Sequence, residues 1–189
     1  KKWILKNFDN NYSNYIKENY YLDEITSKLL AIRKIHKNEI KLFINPSIKN
    51  MLPNPNILKD MDKAVIKTYE TILKKSKIAI FGDYDVDGAS STAILGNYFK
   101  LINYKYDIYI PDRKKEGYGP NIETFKKFIK NKVKLIFTVD CGTVSYDPIK
   151  FAHSNKTDVI VLDHHQSDLT LPKAYSIVNP NRFDDNSNL

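Results

Sequence analysis

The chain has 189 residues, of which 42% are hydrophobic and 28% charged, with a formal net charge of +8. That apolar share can fill a core and excludes wholesale disorder, and the length suits one domain of about 100–200 residues with an appendage. No apolar run approaches the roughly 18–20 residues of a membrane span, KKWILKNFDNNY lacks the apolar stretch of a secretory leader, and the single Cys141 excludes an internal disulfide framework and fits a reducing cytoplasm.

Residues 1–59 read as an N-terminal helical segment and linker, and residues 60–189 as a second unit. In the first, Leu22, Ile25, Leu29 and Ile32 recur at helical spacing and predict one helix from about Glu18 to Ile35. The stretch NPSIKNMLPNPNILKD carries Pro46, Pro53 and Pro55, which break regular structure and mark a linker. From Asp60 the pattern alternates. Helices are predicted over Asp60–Lys75, Ser90–Leu101, Ile122–Lys130 and Ser145–His153. Strands are predicted over Ile78–Phe81, Tyr106–Ile110, Leu135–Val139, Val159–Leu162 and Tyr175–Val178. Short, continuously apolar strands separated by helices predict an α/β fold, a mostly parallel sheet with helices on both faces.

The polar residues fall on this frame in a pattern. The first strand runs into GDYDVDG, so Asp83, Asp85 and Asp87 follow its carboxyl end. The second runs to Asp112 and Arg113, the third to Asp140 in TVDCGT, and the fourth to Asp163-His164-His165. Open α/β sheets bind ligands at that edge. Carboxylates massed at one place repel one another unless a cation lies among them. Carboxylate with imidazole is a donor set for a divalent transition metal, and a set this large suits two ions about 3.5–4 Å apart, a device for activating water against phosphorus. The residues thus read as a metal-assisted phosphoesterase.

Other readings account for less. Asp83-x-Asp85-x-Asp87-Gly88 opens like an EF-hand loop, but the twelfth position, which needs Glu, is Ile94. Receiver-type and haloacid-dehalogenase-type sites also gather Asp at strand ends, yet neither explains a His pair after a fourth strand. Helix caps and turns would account for Asp87 or Asp112 singly, not for the whole set. Cys141 beside Asp140 reads as a small packed residue rather than a nucleophile. Tyr12, Tyr15, Tyr20 and Tyr21 fit either a core or a stacking platform.

FGDYDVDGASSTAIL, IPDRKKEGYGPN, TVDCGT, VLDHHQ and IVNPNR, in this order, resemble the successive motifs of the DHH phosphoesterases, and within them the branch of exonucleases that degrade single-stranded DNA. The resemblance covers roughly residues 43–183. It implies Mn²⁺ or Mg²⁺ as cofactor, as two ions, held by Asp83, Asp85, Asp140 and His164, with Asp140 between them. It implies catalytic roles for His165 at the scissile phosphate, Asp163 as the acceptor that orients the histidines, and Asp87 in the leading acidic motif. Arg113, Tyr118 and Asn121 become candidates for nucleic-acid contact, and single-stranded DNA the expected partner, in 5′→3′ hydrolysis serving repair and recombination. Phosphodiesterases of this superfamily acting on short oligonucleotides or cyclic dinucleotides share the motifs and remain an alternative, as does an inactive nucleic-acid-binding fragment.

The charge fits such a partner without selecting it. Arg occurs only at Arg33, Arg113 and Arg182, so the basic excess is borne by lysines spread along the whole chain. The chain does not start with Met, ends in the polar NRFDDNSNL, and lacks the further metal-binding Asp and second domain that the resemblance implies. It therefore reads as an N-terminal fragment with a truncated DHH-type domain, expected by itself to hold metal poorly and not to cleave.

Overall fold

The computed structural model describes Ile4 and Lys6–Leu189. The start of the segment read for a leader, Lys1–Trp3 and Leu5, lies outside the described residues. The chain divides into two compact units, Lys1–Pro53 and Asn54–Leu189, with the junction inside the proline-rich segment.

The first unit is helical. Helix α1 spans Asn10–Tyr20, α2 Glu24–Ile32, α3 Ile40–Ile44 and α4 Ile48–Met51. The single helix expected over Glu18–Ile35 is instead the end of α1, a break and α2. Tyr21 takes a left-handed conformation (φ 52°), which stops α1, and the Asp23 carboxylate accepts from the N–H groups of Ile25 and Thr26, which starts α2. Ile16, Leu30, Ala31 and Ile40 form the small core, against which Tyr12, Tyr15 and Tyr20 pack. The Tyr12 hydroxyl donates to the carbonyl of Ile35 and that of Tyr20 to the carbonyl of Lys37. These three tyrosines thus serve the core, and Tyr21 is exposed.

The second unit alternates helix and strand as expected. A single 3₁₀ turn at Pro55–Ile57 leads into α5 (Met61–Leu73), followed by β1 (Lys77–Gly82), α6 (Val86–Leu101), β2 (Tyr106–Tyr109) and α7 (Ile122–Lys130). Then come β3 (Val133–Val139), α8 (Tyr146–Ser154), β4 (Asp158–Leu162) and β5 (Ser176–Val178). All five strands are parallel, in the order β2-β1-β3-β4-β5. Successive residues of a strand point to opposite faces, so each strand feeds two cores. Ile78, Ile80, Leu135, Phe137 and Ile160 pack with residues of α5 and α6, and Ala79, Phe81, Ile136, Val159 and Val161 with residues of α7 and α8. The sheet is therefore buried on both sides, which is what its unbroken apolar strands require.

Register decides what reaches the carboxyl edge. Gly82, Val139, Leu162 and Val178 are successive cross-strand partners at the ends of β1, β3, β4 and β5. The next residue of each is Asp83, Asp140, Asp163 and Asn179. The ladder carries on through them, since the N–H of Asp83, Asp140 and Asp163 donate to the carbonyls of Val139, Leu162 and Val178. β2 does not supply an acid to this row. It ends at Tyr109, and the Asp112 carboxylate turns back to accept from Lys114 N–H.

Candidate metal centre

Asp83 is 2% exposed and Asp140 5% exposed. Each has one carboxylate oxygen, Asp83 Oδ1 and Asp140 Oδ2, buried with no hydrogen-bond partner. An unpartnered buried carboxylate oxygen is costly to the fold, and a cation is the partner that would satisfy it. Burial raises the pKa of both groups. For Asp140 burial and then the neighbouring Asp85 carboxylate push it up to about 6. Asp140 also has a left-handed backbone (φ 60°), a conformation Asp tolerates better than most residues, which turns the chain sharply at the end of β3.

Asp85 joins the group from the loop before α6. Its Oδ1 accepts from Gly88 N–H at 2.9 Å and so caps the helix, and this backbone hydrogen bond holds its pKa down. Gly88 is needed for the approach, because a Cβ there would meet the Asp83 carbonyl oxygen at 2.4 Å. Asp83, Asp85 and Asp140 can each offer an oxygen to one ion, with those atoms within 4.8 Å of one another. Asp140, His164 and His165 form a second such group, so Asp140 is common to both. His164 Nε2 lies 3.0 Å from Asp140 Oδ1.

Asp163 differs from the other acids because protein groups satisfy both its oxygens. Oδ2 accepts from the Thr143 hydroxyl at 2.6 Å and the Thr143 N–H at 3.0 Å. Oδ1 accepts from the N–H of His164 and His165 and lies 2.7 Å from His165 Nδ1. Burial works to raise its pKa, but these hydrogen bonds outweigh it and hold the group ionised. The same contact raises the pKa of His165. Asp163 thus holds the His165 ring through a carboxylate whose two oxygens are both hydrogen-bonded.

The remaining residues singled out by sequence divide. The Tyr118 hydroxyl lies 3.3 Å from His165 Nδ1, with the two rings edge-on at 5.7 Å, and burial raises its pKa. The guanidinium carbon of Arg113 lies over the ring of Tyr84, 5.3 Å from its centroid, beside the acidic loop. Asp87 is not brought into either donor group. α6 begins at Val86 rather than Ser90, so Asp87 sits exposed in its first turn. Asn121 caps α7, with Oδ1 accepting from Thr124 N–H at 2.8 Å and Nδ2 buried without a partner. Cys141 is fully buried and burial raises its thiol pKa, which removes it as a nucleophile. Among residues 166–189, Asp184 binds Arg182, Asp185 binds Ser187, and Asp168 accepts from the Tyr146 hydroxyl. Thr143, Asn179 and Asn181 carry contacts to the Asp-His-His segment that motif reading did not assign. The register row reveals Asn179, and IVNPNR is its only trace in the sequence.

A doubly covered parallel sheet whose carboxyl edge gathers buried unpaired carboxylates and a histidine pair defines an α/β protein with a candidate metal centre. Residues 77–188 match the DHH family, N-terminal domain, and the chain belongs to that family. It is 32% identical over 180 residues to the single-stranded-DNA-specific exonuclease RecJ of Bacillus subtilis, covering 95% of this chain and 23% of that protein. It is 38% identical over 139 residues to RecJ of Haemophilus influenzae, covering 73% of this chain and 24% of that protein. A crystal structure of exonuclease RecJ bound to manganese superimposes with a TM-score of 0.63 at 32% identity, over 68% of this chain and 33% of that one. The chain thus spans about a quarter of the length of these curated relatives. No helix among the described residues is long and apolar enough to cross a membrane.

Proposed function

We propose that this chain supplies the metal centre of a single-stranded-DNA-specific exonuclease acting in the cytoplasm in repair and recombination. The observation that carries the proposal is the pair of donor groups sharing Asp140, with buried oxygens on Asp83 and Asp140 that no protein group satisfies. Asp83, Asp85, Asp140 and His164 would hold Mn²⁺ or Mg²⁺, as two ions. Bound there, divalent cations lower the pKa of a water and neutralise charge on phosphate oxygens. The chain's own residues do the rest. Asp163 fixes the ring of His165, which faces the reacting phosphate, and Tyr118 stands edge-on against that ring. Arg113, over the ring of Tyr84, offers a fork of donors to a backbone phosphate. The 5′→3′ direction rests on the resemblance of the motifs.

The test is a nuclease assay of the full-length protein with Mn²⁺, using single strands labelled at either end and a duplex of the same sequence. Mononucleotides should appear from the 5′ end of single strands only. Asp140→Ala and His164→Ala should each lower the rate more than about 100-fold, beyond what loss of an outer-shell partner costs. Unchanged rates in both variants would overturn the assignment. Hydrolysis confined to short oligonucleotides or cyclic dinucleotides would move the protein to another substrate class.

A further inference from the structure

The last strand sends no acid to the carboxyl edge, yet Asn179 stands in the same row as Asp83, Asp140 and Asp163. It is 0% exposed, and a buried amide is tolerated only when its polar atoms are used. Asn179 Nδ2 donates to the Thr143 hydroxyl oxygen at 2.8 Å and to the His165 carbonyl at 2.9 Å. Its Oδ1 accepts from the Asn181 N–H at 2.7 Å. A flipped amide would set Oδ1 against the His165 carbonyl oxygen, so the bonds allow one orientation.

The proton order along the chain is fixed as well. The Thr143 hydroxyl donates to Asp163 Oδ2, an acceptor only, and must therefore accept from Asn179. Asn181 Nδ2 donates to the His164 carbonyl. The carbonyls of both histidines, and the carboxylate that holds the His165 ring, are thus anchored by Thr143 and the segment following β5. These anchors matter because His164 and His165 lie beyond the end of β4, where no strand ladder fixes their backbone.

The geometry points to Asn179 and Thr143 as positioning residues that set the backbone of the His164–His165 pair and the Nδ1–H form of His165. This inference rests on the metal-centre reading above. Neither residue offers an atom to either donor group, so each acts through Asp163 and the histidines. Loss of such an outer-shell partner weakens metal binding by about 10–100-fold.

The experiment compares Mn²⁺ titrations of the full-length protein with Asn179→Leu, Thr143→Val and Thr143→Ser, beside Ile149→Val as a core substitution in α8. Nitrogen-15 spectra of the metal-free proteins report the His165 tautomer. Asn179→Leu and Thr143→Val should weaken Mn²⁺ binding by about 10–100-fold and broaden or shift the Nδ1–H signature. Thr143→Ser, which keeps the hydroxyl, and Ile149→Val should bind like the parent. If Asn179→Leu does not fold, Thr143→Val against Thr143→Ser decides. Parent-like affinity and tautomer in a folded Thr143→Val would overturn the inference. If the parent binds no Mn²⁺, the metal-centre reading fails instead, and the metal-free spectra still test the brace. A lost Nδ1–H signature in Thr143→Val supports it, and an unchanged one overturns it.

Discussion

The second unit holds two clusters of carboxylates that the sequence does not distinguish by composition. At the carboxyl edge, Asp83 and Asp140 are buried with oxygens left unpartnered. Around Arg182, Asp60 and Asp184 are paired. Arg182 Nη1 donates to Asp60 Oδ2 at 2.8 Å, and Nε and Nη2 grip both oxygens of Asp184 at 2.6 and 3.1 Å. The pKa directions are opposite. Burial and Asp85 push Asp140 up to about 6, whereas hydrogen bonds from Arg182 and Lys59 hold Asp184 down at about 2. At Asp60 burial works upward, but Arg182 and the Ile177 N–H outweigh it. One cluster carries its own cation and ties α5 to the strand end and tail. The other leaves buried oxygens of Asp83 and Asp140 without a protein partner, which marks it as a site rather than a brace.

Replacing Arg182 should have the larger effect on stability. Arg182→Met leaves Asp60 without its guanidinium while keeping the apolar stem, and should cost about 2 kcal/mol in urea unfolding at pH 7. That is below the roughly 3–5 kcal/mol of a fully buried pair, because the Asp184 side chain is half-exposed. The pH dependence follows from the sign of the shifts. Both carboxyls titrate lower folded than unfolded, so their contribution is complete above the ordinary carboxylate pKa near 4 and is lost as pH falls toward 2. In Arg182→Met that acid limb should flatten. A limb as steep as the parent's would show that other carboxylates carry it.

At the metal centre, Asp140→Asn should do the reverse. Asn tolerates the left-handed backbone at this position. It also removes a buried charge and replaces carboxylate repulsion with an amide that can donate to Asp85. The metal-free protein should therefore gain on the order of 1 kcal/mol while Mn²⁺ binding is lost. A destabilised, metal-binding Asp140→Asn would remove the contrast between the clusters.

Local pattern made the sheet legible, because a doubly buried parallel strand is a short apolar run and its end is the last residue of that run. Asp83, Asp140 and Asp163 could be placed on that basis alone. Signals acting across the chain were not legible. Asn179 sits in IVNPNR, where Asn beside Pro reads as a turn, and only the pairing of β5 with β4 puts it in the row. The Arg182–Asp60 pair joins residues far apart in sequence, and no periodicity announces it. Asp87 follows Asp83 and Asp85 at even spacing, and the leading acidic motif groups the three. The helix starts at Val86, capped by Asp85, and its turn carries Asp87 away. The break between α1 and α2 rests on Tyr21 in a left-handed conformation without the glycine that normally signals one.

Asn121 gives the smallest and most local version of the same contrast, because its two halves differ. Oδ1 caps α7, and Nδ2 is buried without a partner. Asn121→Ala loses a cap worth about 1 kcal/mol but also removes the unsatisfied donor, so the net loss should be roughly 0.5 kcal/mol. Asn121→Asp keeps the capping oxygen and adds a negative charge at the helix N-terminus, but it buries an unpartnered carboxylate oxygen where Nδ2 stands, so it should gain nothing over the parent. Both effects are read by urea unfolding. Single-strand affinity should be unchanged in both variants, since the amide nitrogen is sealed from solvent. A fall in affinity with stability intact would return Asn121 to the nucleic-acid interface that its motif suggests.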